Sequence, residues 1–341
     1  MNKVRIGLIG TATWAREAHI KNLLQIGEAE IVALWNRGKE NLQSAKEMLP
    51  AAVRVCSSVD MMLEDRAIDA VIISLPPNLN EDYVLPALKR GKHVFCEKPL
   101  SNTLAGCRHI VDAAESSGRV LQVGFELRYS EFYQEIRALL DLNKVGQLHM
   151  IAFKSFSGVG WAYREGTWII DPQASGGVMN SWGVHAIDLM NGLAGSEPTH
   201  VYGVGDVKVR KQTPNVDSAY VTIEYANGVL AALLYCRFSP YGNDWELSLV
   251  GDQGNVAAFL NRREIHHHTA VNETETVVKL APYKGSGFTG ALEQMRTFVR
   301  CCQQGQRPPT DGRAGLCATQ TALAIQRSFD ERRRVSLDEI Q

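Results

Sequence analysis

A chain of 341 residues, 45% hydrophobic and 21% charged, has ordinary globular composition and room for one large domain or two of common size. A formal net charge of −1 excludes the broad basic footprint of a nucleic-acid-binding surface. Seven scattered cysteines with no C-x-x-C pair fit a reduced, cytoplasmic chain. No run of about 18 apolar residues predicts a membrane span, and the apolar run at 4–9 is too short for a secretion signal.

Residues 3–9 read as a buried strand, followed by a tight turn and a helix over about 14–27. Strand 30–35, helix 40–49, a short strand 52–56 and a helical turn 59–65 come next. Residues 69–75 (Asp-Ala-Val-Ile-Ile-Ser-Leu) form a continuous apolar strand, as expected where both faces of a sheet are covered; Pro76-Pro77 ends it. Helix 80–90, strand 93–96, helix 105–117 and strand 120–124 complete the pattern. Strands alternating with helices at this spacing predict a parallel, doubly wound sheet.

Beyond about residue 122 the texture changes. A helix covers 131–142, then strands are expected at 149–156, 200–209, 218–226, 229–238, 246–251 and 255–259, with Asn227-Gly228 as a hairpin turn. Antiparallel pairing dominates such a series, so residues 122–341 read as a second, α+β domain after a first one over 1–121. Helices at 289–304 and 312–332 close the chain.

Two features of the first domain carry chemistry. Strand one enters Gly10-Thr11-Ala12-Thr13-Trp14-Ala15, an imperfect form of the G-x-G-x-x-G/A dinucleotide turn with Ala12 at the second glycine. The strand before it and the helix N-terminus after it suit a phosphate. Strand two ends at Asn36-Arg37, where a carboxylate commonly binds the ribose hydroxyls of NAD. A neutral amide followed by a guanidinium leans to the 2′-phosphate of NADP, although a solvated turn also accounts for Arg37. The second feature is strand 93–96 running into Glu97-Lys98-Pro99. Charged groups at the end of a core strand need partners. Ligands of such sheets bind at the carboxyl ends of the strands, where an ammonium meets cofactor and substrate.

These residues resemble the Gfo/Idh/MocA family, the glucose-fructose oxidoreductase and inositol dehydrogenase group. The likeness runs through the glycine turn, Ser74-Leu75-Pro76, the stretch Gly91 to Pro99, Val123 to Arg128, Ser175 to Asp188 with its Gly183-x-His185-x-x-Asp188, Gly251 to Gly254 and Pro308 to Gly315. It implies a Rossmann domain followed by an α+β domain with an open, mostly antiparallel sheet. It also implies a nicotinamide cofactor, NAD(P), a sugar, polyol or cyclitol substrate bound between the domains, and a homodimer or homotetramer packed through the second sheet. Lys98 and His185 match the family's catalytic lysine and histidine. The catalytic aspartate common four residues before that histidine is Ser181 here, and the histidine common after strand four is Asn80. Besides Gly10, Thr11, Ala12, Thr13, Trp14, Asn36 and Arg37, the resemblance assigns Ser74, Leu75, Pro76, Asn80, Glu97 and Lys98 to the cofactor.

Oxidation of a secondary alcohol removes a hydroxyl proton as hydride leaves the same carbon. A histidine suits the first task, and a lysine stabilises the developing charge. His185 alone reads more simply as a satisfied core histidine, the commoner fate of a lone His; with Lys98 and the resemblance it reads as catalytic. Ser181 is assigned positioning only. Trp161, Tyr163, Arg164 and Trp168 suit sugar faces and hydroxyls or, alternatively, a packed core; Tyr163 is a further candidate acid, and Arg128 a substrate contact. His266-His267-His268 lies in an expected strand whose side chains alternate, so it is read as surface and no metal is assigned. Cys301-Cys302 are expected to be core thiols. The reading is therefore an NAD(P)-dependent dehydrogenase. Glycoside cleavage through transient oxidation, and a non-catalytic ligand sensor, stand as alternatives.

Overall fold

Strands β1 (Val4–Ile9), β2 (Ala29–Trp35), β3 (Arg54–Val55), β4 (Ala70–Ile73), β5 (His93–Cys96) and β6 (Leu121–Val123) form one parallel sheet in the order β3-β2-β1-β4-β5-β6. This is the dinucleotide-binding order, with its reversal between β1 and β4. All four residues of β4 are fully buried, which explains the unbroken apolar run. Connecting them are α1 (Ala15–Ile20 in π-helical winding, continued by Lys21–Leu23), α2 (Lys39–Lys46), α3 (Val59–Glu64), α4 (Asn80–Lys89) and α5 (Leu104–Ser117). This is a computed structural model describing residues 3–158, 167–211, 213–240, 242–269 and 272–341.

The second sheet combines β7 (Leu148–Phe156), β8 (Pro198–Asp206), β9 (Ser218–Tyr225), β10 (Leu230–Cys236), β11 (Asp244–Gly251), β12 (Gly254–Phe259), β13 (Glu264–Thr269), β14 (Asn272–Lys279) and β15 (Val335–Ser336). Its order is β14-β13-β12-β11-β7-β10-β9-β8-β15. Every pairing is antiparallel except β7 with β10. The helices are α6 (Glu131–Asp141), α7 (Pro172–Ser175), α8 (Val184–Ala194), α9 (Ala291–Gln304) and α10 (Gly312–Glu331). Among the described residues no helix is long and apolar enough to cross a membrane.

Contacts divide the chain into two units: Met1–Ser130 with Tyr283–Leu316, and Glu131–Pro282 with Cys317–Gln341. A single boundary after residue 121 thus misses the return of 283–316 to the first unit. The reason is apolar burial. Leu292, Met295, Phe298 and Val299 of α9 join Ile6, Leu8, Ile72 and Phe95 in one core. Asn22 ties the same return to α1, donating to Ser286 O (2.9 Å) and accepting from Ser286 N (2.8 Å). Asn22 also donates to Ala18 O (2.7 Å), and the helix expected over 14–27 stops at Leu23, with Gln25 and Ile26 in tight turns back to Asn22 and Leu23. The strand expected over 52–56 shrinks to Arg54–Val55, while β14 and β15 had no distinct sequence signal.

In the second unit the sheet has two unlike faces. Ile151, Phe153, Val221, Ile223, Leu233, Leu247 and Leu249 are buried on one. There α8 packs on β7, and Phe329 of α10 lies against Gly203 and Gly205. A Cβ at Gly203 would come within 2.5 Å of that ring, so the two strand glycines admit the helix. The alternate residues Met150, Val204, Tyr220, Leu230 and Val250 are exposed. Register puts Val250, Met150 and Leu230 side by side, and Val204 beside Tyr220.

Candidate active site

The glycine turn is set by close approach of backbone. Gly10 has φ +91°, and a Cβ there would lie 2.2 Å from Ser74 O at the end of β4, so no larger residue fits. Thr11 is fully buried; its N–H donates to Asn36 Oδ1 (3.0 Å), and Asn36 Nδ2 donates onward to Gly38 O (2.8 Å). Arg16 Nη1 clasps Thr11 O at 2.8 Å. Asn36 thus locks the turn to the end of β2, a task a carboxylate could share only in part because it cannot donate to Gly38 O. Ala12 and Thr13 remain exposed at the start of a helix, whose first N–H groups have no partner within it. Arg37 is exposed beside them in sequence. An exposed turn, a helix N-terminus and the strand-order reversal fit the pyrophosphate of a dinucleotide. Of the residues expected at the cofactor, the fold withdraws Gly10, Thr11, Asn80 and Glu97 from the surface.

Glu97 and Asn80 fix the lysine turn. Glu97 is buried, and Oε1 accepts from Trp14 Nε1 at 2.8 Å and lies 2.9 Å from His19 Nε2. Its Oε2 accepts from Lys98 N at 3.1 Å. Burial raises the carboxyl's pKa, but His19, Lys98 and Trp14 together hold it below the usual carboxylate range. Gly124 leaves room for it: a Cβ there would be 2.8 Å from Oε2. Asn80, also expected at the cofactor, is fully buried; its Nδ2 donates to Pro99 O (3.0 Å) and Leu100 O (3.2 Å). It braces the loop from behind. The Lys98–Pro99 peptide is cis, and Lys98 itself is half-buried. Ser74, Leu75 and Pro76 are partly exposed where β4 ends, and Arg128 is half-buried in the turn Glu126–Tyr129.

In the second unit His185 is the second residue of α8 and is 8% exposed. Ser181 is buried in the π-helical turn Met179–Gly183 that leads into α8, one turn before His185. Between them Trp182 stacks under the Arg237 guanidinium, 4.1 Å from the ring centroid. Arg237 N donates to Asp217 O (2.8 Å), and the fully buried Asp217 carboxylate accepts from Lys208 N, Val209 N and Arg210 N, each at 2.8 Å. Neither Arg237 nor Asp217 was flagged by sequence, because their partners are distant in the chain. Trp168 is half-buried at the start of the turn Trp168–Ile170. Trp161, Tyr163 and Arg164 lie outside the described residues. His266 and His268 share the Glu275 carboxylate, at 3.1 and 3.7 Å; among the described residues no group of three His, Cys, Asp or Glu side chains is placed to hold a metal ion.

Fold and turn together define a dinucleotide-binding protein. Comparison with known proteins carries this further. Residues 4–125 match the model of an oxidoreductase family with an NAD-binding Rossmann fold, and residues 133–257 match the GFO/IDH/MocA C-terminal domain. The chain belongs to the Gfo/Idh/MocA family and is a nicotinamide-dependent dehydrogenase acting on CH–OH groups. It is 26% identical to the myo-inositol 2-dehydrogenase of Thermotoga maritima, over 99% of both chains. It is 30% identical to the inositol 2-dehydrogenase of Acidiphilium cryptum, over 74% of this chain and 72% of that one. Among solved structures, a putative myo-inositol dehydrogenase from Sinorhizobium meliloti 1021 superposes with TM-score 0.83 at 25% identity, over 98% of this chain and 100% of that one. Levoglucosan dehydrogenase in complex with NADH and L-sorbose, 18% identical with TM-score 0.90 over 99% of each chain, shares the fold.

Replacing Asn80 with Ala removes the amide donor to the Pro99 and Leu100 carbonyls. The expected loss is about 1–3 kcal/mol of unfolding free energy, read from urea denaturation. A change under about 0.5 kcal/mol would show that the brace does not hold the loop.

Proposed function

We propose that this protein reversibly oxidises a ring or chain secondary alcohol of a polyol, cyclitol or related sugar, with Lys98 and His185 acting on the reacting hydroxyl. The observation that carries the reading is the anchoring of Lys98 in a fixed turn at the end of β5, on a chain whose full-length relatives include inositol dehydrogenases. A nicotinamide ring supplies the hydride acceptor when bound. His185 takes the hydroxyl proton, as a group that titrates near neutrality does well. The Lys98 ammonium stabilises negative charge on the same oxygen. Ser181 has a hydroxyl and no carboxylate, so it positions substrate or relays a proton and leaves base chemistry to His185. Arg128, Trp161, Tyr163 and Trp168 are assigned to substrate hydroxyls and ring faces.

Within this reading the cofactor is NADP. Asn36 is neutral and committed to the turn, and Arg37 is exposed next to it. The active form is a homo-oligomer joined through the open face of the second sheet. That proposal is supported by two exposed apolar groups on this face, the row Val250, Met150 and Leu230 and, four residues further along the strands, the pair Tyr220 and Val204; exposed apolar surface of this kind marks an interface.

Lys98→Met and His185→Asn are each expected to lower kcat about 100-fold or more on a responsive cyclitol, with cofactor reduced in step with product. Activity within about threefold of the parent in either variant would refute the role of that residue. Solvent deuterium entering the substrate without net cofactor reduction would refute net oxidation. Arg37→Ala is expected to weaken NADP binding about tenfold and NAD binding little, by calorimetry; equal losses would refute the NADP assignment. Tyr220→Glu is expected to reduce the mass measured by light scattering to that of the monomer, and an unchanged mass would refute the sheet interface.

A further inference from the structure

The proposed reaction needs Lys98 held at a fixed height relative to a cofactor lying on the glycine turn, yet those two segments are far apart in the chain. One side chain joins them. Trp14 belongs to the turn itself, and its indole N–H donates to Glu97 Oε1 at 2.8 Å across 83 residues of sequence. The other carboxylate oxygen receives the backbone N–H of Lys98 at 3.1 Å. His19, one helical segment beyond the turn, contacts Oε1 at 2.9 Å and sets its ring edge-on to Phe95, centroid to centroid 5.1 Å. Glu97 thus spends one oxygen on the turn and its helix and the other on the lysine.

We infer that Glu97 is a positioning residue, which ties the placement of Lys98 to the glycine turn through Trp14. This rests on Lys98 being the catalytic lysine of the proposed reaction. Three observations support the coupling. The carboxylate is buried, so its donors cannot be replaced by water without cost. Gly124 leaves no slack, since even a Cβ would strike Oε2 at 2.8 Å. Asn80 holds the far side of the same loop at Pro99 O and Leu100 O, so the loop pivots at Glu97 or not at all. Lys98 helps hold the Glu97 carboxylate charged; among the described residues the other titratable groups beside it are His19 and the Cys96 thiol, which burial pushes up. A link of this kind makes the turn a sensor. Occupancy that moves Trp14 moves the carboxylate, and with it the lysine.

Two variants test this, each with a readout that a purely structural role would not move. Glu97→Gln keeps the size but loses the charge, and its one amide oxygen accepts from either Trp14 or Lys98 N, not from both. In the cofactor-free protein, the pH midpoint for acetic anhydride labelling of Lys98, followed by peptide mass spectrometry, is expected to fall by about half a unit or more. An unchanged midpoint in a folded variant overturns the coupling whether or not Lys98 proves catalytic. Trp14→Phe removes the N–H alone. It is expected to lower kcat about tenfold while the cofactor dissociation constant, measured by calorimetry, changes less than threefold. A loss of cofactor affinity with kcat unchanged would show that Trp14 serves only the cofactor and overturn the link. If Lys98→Met retains activity, the reaction assignment fails and the labelling shift alone decides the coupling. If Glu97→Gln does not fold, Trp14→Phe decides it.

Discussion

A carboxylate out of reach of water must be partnered, and Glu97 draws its partners from an indole in the glycine turn, an imidazole in the helix that follows it and the backbone of its own successor. Much of the first unit is arranged to let these meet. Gly10 allows β1 and β4 to close on each other at the strand-order reversal, which brings the turn beside the end of the sheet where β5 delivers Glu97. Gly124 yields the volume the carboxylate occupies, and Phe95 and Phe298 make the dry floor on which His19 stands. The charge at the end of a core strand is not a local peculiarity. It is a joint.

Much of this architecture was legible residue by residue, for reasons that differ. β4 and β5 announce themselves because both faces of a parallel strand are buried, leaving four apolar residues in a row in β4. The hairpin at Asn227-Gly228 was legible because Gly228 takes a positive φ that few other residues tolerate. Local chemistry also marked Gly10 and Lys98. What could not be read is pairing at a distance. Asn36 was expected at the cofactor, but its strut to Thr11 was not foreseen; Asn80 was expected there too, but its brace for Pro99 and Leu100 was not. Both are amides whose donors and acceptors find backbone many residues away, and no spacing rule reports that. The amphipathic pattern of α9 likewise says helix without saying which core it completes.

The second unit solves a different problem with similar means. Its sheet must cover one face with helices while presenting the other, and alternation along each strand does so without further instruction. The exceptions are informative. Gly203 and Gly205 thin one strand so that Phe329 can approach, and Asp217 gathers three successive backbone N–H groups to shape the segment between β8 and β9. That same segment supports Arg237, which lies over Trp182 between Ser181 and His185 in sequence, so the helix bearing the histidine is steadied by a cation on an aromatic face.

The division of the chain has a consequence for its synthesis. Phe95 is packed by Phe298, and the first unit takes the whole of 283–316 into its fabric. While the ribosome is still translating the second unit, the first has its glycine turn and its lysine loop but a bare patch where α9 belongs. The ring of Phe95, against which His19 stands, then borders an open surface. The cover of that ring arrives only with the last fifth of the message, so the floor beneath His19 is among the final things the nascent protein acquires.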